Sequence, residues 1–139
     1  MSEIDSEHIA IRFVNEINRH DLGALNSLMT PDFRYIDNRG HETRGRDRTC
    51  AAWTAYFQAH PEYRIAIREH MSTGPVVALF GTTSGIPPSP SHASGGPVPA
   101  AWRAVISEGR VAEWKAFGGP ETILELAASA RAPDTGHPI

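Results

Sequence analysis

The chain has 139 residues, enough for one domain with a real core, and nothing in its composition asks for two. Thirteen Lys and Arg against sixteen Asp and Glu give a net charge of -3, with the basic residues scattered rather than striped, which argues against nucleic acid as a partner. The single cysteine, Cys50, cannot pair within the chain, the N-terminus lacks the basic and apolar runs of a signal peptide, and no apolar run approaches a membrane span. A cytoplasmic protein with no membrane contact is expected.

In chain order, Ser6 is a candidate cap for a first helix whose apolar residues Ile9, Ile11, Phe13, Val14 and Ile17 recur near helical spacing to about His20. Asp21 is placed to cap a second helix by accepting from the amide of Gly23 or Ala24. Leu22, Leu25, Leu28 and Met29 form its apolar stripe before Pro31 ends the pattern. Residues 33–41 (FRYIDNRGH) then read as a strand and a turn. Alternation puts Phe33, Tyr35 and Asp37 on one face, so a carboxylate ends the strand beside two aromatic rings. Residues 41–44 make a short return strand. Asp47 is a candidate cap for a third helix that carries Trp53, Tyr56 and Phe57 and stops at His60 and Pro61.

The period then changes to two, with Tyr63, Ile65 and Ile67 alternating against Arg64, Arg68 and His70. A turn at residues 72–75 leads to the apolar run 76–83, suited to a central strand covered on both faces. Residues 86–97, rich in Pro, Ser and Gly, read as a loop that could serve as a lid or dimer contact. A hairpin of 98–106 and 110–117 follows, then a short C-terminal helix from Pro120 to Ala130 and a tail over 131–139. The expected architecture is α+β: a curved antiparallel sheet wrapped over three N-terminal helices, in one domain over 1–139 with its core over about 6–130.

Residues 13–22 (FVNEINRHDL), 28–33 (LMTPDF), Gly40, Arg44-Gly45, 47–56 (DRTCAAWTAY) and 107–114 (SEGRVAEW), taken in order, resemble the SnoaL-like branch of the nuclear transport factor 2-like superfamily. The resemblance implies a cone-shaped α+β barrel around a deep apolar pocket that holds a small hydrophobic molecule, usually in a homodimer. Its members include ketosteroid isomerases, polyketide cyclases and non-catalytic binding domains, so the fold does not choose among them. Asp37 matches the strand-end carboxylate that moves the proton in the isomerases. Phe13 stands where their first-helix tyrosine donor stands, and 98–102 (VPAAW) supplies no acid for their second donor. Trp114 and Ala116 occupy the positions of the cyclases' last-strand histidine and aspartate.

If the last hairpin closes in simple register about Glu108-Gly109, Arg103 lies opposite Trp114 and shares its face. The resemblance puts Trp114 on the pocket side, so Arg103 would face Asp37 across the cone. Asp37 and Arg103 are therefore the candidate catalytic pair, unless they form a structural ion pair or Arg103 faces a dimer partner. Tyr35, Trp53, Phe57, Trp114 and Phe13 are the candidate substrate-binding residues, with plain core packing as the competing account of the rings. His20-Asp21 reads better as helix end and cap than as a dyad, and His41 could reach the pocket mouth. The remaining histidines lack ligand spacing and no glycine-rich phosphate loop is present, so neither metal nor cofactor is expected. Two functions stay open: a cofactor-free isomerase, cyclase or dehydratase acting on a small hydrophobic carbonyl compound with Asp37 as general base, or a binding or dimerisation module of the same fold.

Overall fold

The computed structural model describes residues 3–85, 97–118 and 126. The elements run α1 (Glu3–Arg19), α2 (Leu22–Leu28), β1 (Met29–Ile36), β2 (Glu42–Arg44), α3 (Arg46–Ala59), β3 (Arg64–Thr73), β4 (Val76–Ser84), β5 (Val98–Ser107) and β6 (Arg110–Phe117). The six strands form one curved, unclosed sheet in the order β2-β1-β6-β5-β4-β3. The expected α+β cone with three helices against a bent sheet is what the chain adopts, with one amendment. β1 and β6 run parallel, so the sheet is mixed rather than wholly antiparallel. The expected C-terminal helix, tail and 86–97 loop lie outside the described residues, except for Pro97 and for Leu126, which is helical and buried.

The helix ends follow from local chemistry. α1 starts at Glu3, so Ser6 is no cap but a buried residue inside the helix. At the other end His20 takes a left-handed φ of 57°. Its amide bonds Ile17 O at 2.9 Å and the Asp21 amide bonds Glu16 O at 3.2 Å, the paired closure that frees the last carbonyls from being left unmet. Asp21 Oδ1 then accepts from the Ala24 amide at 3.0 Å and starts α2 as expected. Met29 belongs to β1, not to the α2 stripe. α3 is preceded by Gly45 with a φ of 100°, which a side chain would strain, and has no side-chain cap. Asp47 lies two residues past the cap position, Gly45. It sits in the first turn, where its charge suits the helix dipole, and accepts from Asn26 Nδ2 at 3.2 Å.

The sheet bends at bulges. Arg68 is an extra residue in β3, since Ile67 pairs with Gly81 and Glu69 with Phe80. Gly81 is required there because a Cβ would sit 1.8 Å from Ala66 O. The concave face carries Phe33, Val77, Leu79, Trp102, Ala104 and Trp114 onto α1 and α3, with Phe13 at the centre of that core. Phe13 is fully buried, its ring 5.0 Å from Trp114, 5.8 Å from Trp53 and 6.0 Å from Phe33. The convex face holds a smaller apolar cluster of Ala78, Ala101 and Leu126, against which Met71, Phe80 and Phe117 pack. β4 is thus covered on both faces where Val77, Ala78 and Leu79 are buried in succession.

The last hairpin turns through Glu108 and Gly109 with φ of 53° and 77°, the left-handed pair that matches the twist of the strands. Its register holds as expected only as far as Ile106 with Val111. Ala112 is then an unpaired extra residue, so Val105 pairs with Glu113, Ala104 with Trp114 and Arg103 with Lys115. A slip of one residue moves a side chain to the other face of a sheet. Arg103 therefore points away from Trp114, onto the convex face, and the expected Arg103 to Asp37 approach across the cone is overturned.

Candidate ligand cavity

Between α3, the ends of β1 and β6, and the start of β5 the structure holds a cavity of about 770 Å³. This is within the size range of small-molecule sites. α3 contributes Trp53 and Phe57, which are adjacent on one helical face at spacing four. β5 and β6 contribute Trp102 and Trp114, stacked with centroids 6.1 Å apart and planes 23° apart. Tyr35 from β1 meets the edge of Trp53 at 5.6 Å and 82°. Ile17 and Ile65 close the apolar side. Of the expected binding residues, Tyr35, Trp53, Phe57 and Trp114 come together on this cavity, as does Asp37. Phe13 does not line it, and lies behind Trp53 and Trp114, where it fixes the wall rather than touching the hollow.

Asp37 is the first residue past β1, and the turn that follows holds it. Its Oδ1 accepts from the backbone amides of Arg39 and His41, both at 2.9 Å, while Gly40 N donates to Asp37 O at 2.9 Å. Oδ2 lies 3.8 Å from His41 Nδ1, its one ion-pair contact among the described residues, and the side chain is one-third exposed (33%) at the cavity rim. Arg103 is elsewhere. Its Nη2 and Nε bond Glu113 Oε2 at 2.8 and 3.1 Å on the convex face, and Arg34 Nη1 bonds the other oxygen of Glu113 at 3.0 Å. Arg34 also holds Glu42, which Arg44 bonds in turn, so an alternating ladder of charges crosses β2, β1, β6 and β5. The carboxyl of Glu42 is held below its ordinary range by the Arg34 hydrogen bond.

The structure adds polar residues that the sequence reading placed only as apolar positions. Tyr56 and Tyr63 join Tyr35 on the cavity, so all three tyrosines of the chain gather there. Burial pushes the Tyr35 phenol up to about 12, helped by the negative charge of Asp37 and by Tyr56. Burial raises Tyr63 strongly and Tyr56 as well. All three are neutral hydroxyls at any ordinary pH, able both to donate and to accept. Tyr56 follows Trp53 by three on α3, a spacing that pointed to a shared face. Tyr63, just before β3, shares the period-two face of Ile65, which lines the cavity with it. His20 braces the same wall from behind, stacked on Phe57 at 4.1 Å with its Nε2–H donating to Tyr63 O at 3.0 Å.

The arrangement can hold a flat, mostly apolar molecule between indole and phenyl walls, offer it neutral hydroxyls along one side and present one carboxylate oxygen at the rim. Among the described residues no group of three or more His, Cys, Asp and Glu could hold a metal ion, and no helix is long and apolar enough to cross a membrane.

Known structures share this architecture. A protein of Jannaschia sp. CCS1 assigned to the SnoaL-like polyketide cyclases superimposes with a TM-score of 0.70 at 20% identity, covering 94% of each chain. One of Kribbella flavida assigned as a ketosteroid isomerase gives 0.67 at 14% identity over 83% of this chain and 78% of that one. An NTF2-like protein of unknown function from Cytophaga hutchinsonii gives 0.65 at 11% identity over 86% and 94%. At such identities these likenesses establish the fold alone. No curated protein matches the chain closely enough to count as a relative. The SnoaL-like domain family matches residues 10–114, which takes in α1 through the Trp114 wall of the cavity, and the chain belongs to that family.

Proposed function

We propose that the protein binds a small, mostly apolar organic molecule in the cavity between Trp53, Trp102 and Trp114. The observation that carries this reading is the cavity itself: about 770 Å³ walled by aromatic rings that a solid core would have closed upon. The test is a titration with α-tetralone, 1-indanone and naphthalene, followed by tryptophan fluorescence. At least one is expected to bind saturably, and binding is expected to fail in Ala116→Phe, which fills the cavity beside Trp102. Failure of all three probes would refute the reading.

A second reading adds chemistry, favoured by Asp37 Oδ2, which lies at the rim bonded to no amide and 3.8 Å from His41 Nδ1. In it Asp37 removes a proton from carbon next to a ligand carbonyl and returns it, as in a cofactor-free isomerase, cyclase or dehydratase, with a tyrosine hydroxyl facing the oxygen. The missing donors at Phe13 and residues 98–102, and the loss of Arg103 from the site, weigh toward binding without turnover. Exchange of the C2 hydrogens of α-tetralone for deuterium decides between them. Catalysed exchange that Asp37→Asn abolishes supports the enzyme, and exchange at the uncatalysed rate supports the binding module. A cytoplasmic homodimer belongs to the same proposal.

A further inference from the structure

We infer that the cavity selects ring compounds bearing one positively charged nitrogen over their neutral and anionic counterparts. This rests on the proposed binding role of the cavity and goes further by assigning the charge of what it holds.

Three observations converge. The first is the wall: Trp53, Trp102, Trp114, Phe57, Tyr35 and Tyr63 all line one hollow, and ring faces attract cations within about 6 Å of their centroids, most strongly when water is excluded. Two ring contacts at this wall are edge-on, Tyr35 against Trp53 at 82° and Tyr56 against Tyr63 at 87°, so the rings around the hollow lie in crossed planes.

The second is the carboxylate. Asp37 reaches the rim with Oδ2 bonded to no amide; His41 Nδ1 lies 3.8 Å from that oxygen, and among the described residues no Lys or Arg lies within ion-pair distance of it. A ligand nitrogen lodged near Tyr35 would meet both that charge and the phenolic oxygens, which accept as readily as they donate.

The third is the absence of an opposing field inside. Arg39 also borders the cavity, but it is exposed in the turn. The charge that Tyr35 feels is that of Asp37, and Arg39 is not among the influences on any of the three phenols. Beside Tyr35 the charge that acts is thus the carboxylate of Asp37, which disfavours carboxylates and sulfonates there and favours an ammonium.

The experiment compares three probes of one shape: benzyltrimethylammonium, its neutral carbon isostere neopentylbenzene, and benzylsulfonate. Affinities are read by tryptophan fluorescence in low salt. The cation is expected to bind about tenfold more tightly than the neutral isostere, and the sulfonate most weakly. Asp37→Asn keeps an oxygen for the Arg39 and His41 amides while removing the charge, so it is expected to narrow the cation's advantage severalfold and leave neopentylbenzene unchanged. A neutral probe binding as well as the cation, a sulfonate binding best, or a cation preference undiminished in Asp37→Asn would each overturn the inference while leaving the binding cavity intact. Binding by none of the three would overturn this inference, and the α-tetralone series then reports separately on the cavity.

Discussion

Asn18 pairs with both backbone groups of Ile65: its Nδ2 donates to Ile65 O at 2.8 Å and its Oδ1 accepts from Ile65 N at 2.7 Å. One side chain at the end of α1 thus stands in for a neighbouring strand along the open edge of β3. It satisfies groups that an edge would otherwise leave to solvent and ties the helix to the cavity wall at Ile65. Asn18→Ala is expected to lower stability by about 2 kcal/mol, the loss of two partly buried bonds, measured by urea unfolding. Asn18→Asp is expected to fare no better, because a carboxylate cannot donate to Ile65 O.

The Ala112 bulge puts Arg103 and Glu113 on the convex face, away from the ligand. Arg103→Ala is expected to leave α-tetralone affinity unchanged within twofold. Glu113→Ala is expected to cost about 1 kcal/mol of stability, a modest figure because Arg34 and Arg103 are each about a third exposed and can hydrate when freed. A large loss of binding in Arg103→Ala would restore the register read from the sequence.

Tyrosine ionisation gives a direct reading of the cavity, since every tyrosine of the chain lies on it. Absorbance at alkaline pH is expected to show Tyr35 and Tyr63 forming no phenolate near the ordinary pKa of about 10 while the protein remains folded, with Tyr35 ionising at about 12. The sign of the linkage is fixed. The folded state holds these protons more tightly than the unfolded chain, so their contribution to stability is full below pH 10 and is lost as pH rises toward 12. Tyrosines that titrate normally in the folded protein would place the hydroxyls in bulk water.

His20 combines a left-handed backbone with a structural side chain. His20→Ala keeps the backbone cost and loses both the bond to Tyr63 O and the stack on Phe57. His20→Gly loses the same contacts but relieves the backbone. The alanine variant is therefore expected to be the less stable of the two by about 1 kcal/mol, read from their melting curves.

Much of the fold was legible because periodicity reports on elements whose burial is one-sided. The alternation of Phe33, Tyr35 and Asp37 located the strand and its terminal carboxylate, and the spacing of Trp53 and Phe57 located the helix face above it. What escaped notice depends on geometry that no local pattern carries. Ala112 looks like any alternating residue, yet as a bulge it reverses the faces of everything after it, which is why Arg103 was misplaced. The parallel pairing of β1 with β6 joins segments nearly eighty residues apart, as the Arg34 to Glu113 contact does. Ser6 and Asp47 have the chemistry of caps, but the chain around them set the helix starts at Glu3 and Arg46. The gathering of Tyr35, Tyr56 and Tyr63 needed a strand, a helix and a loop to meet, so the polar side of the cavity was invisible until the fold was.

All three tryptophans of the chain also line the cavity, so their indole N–H signals in a proton–nitrogen correlation spectrum watch its interior from three sides. Titration with α-tetralone is expected to shift all three indole peaks along saturating curves with one common midpoint, and Ala116→Phe is expected to abolish the shifts while keeping the folded spectrum. Indole peaks that stay fixed while only surface amides move would contradict the account, leaving a hollow that does not take ligands.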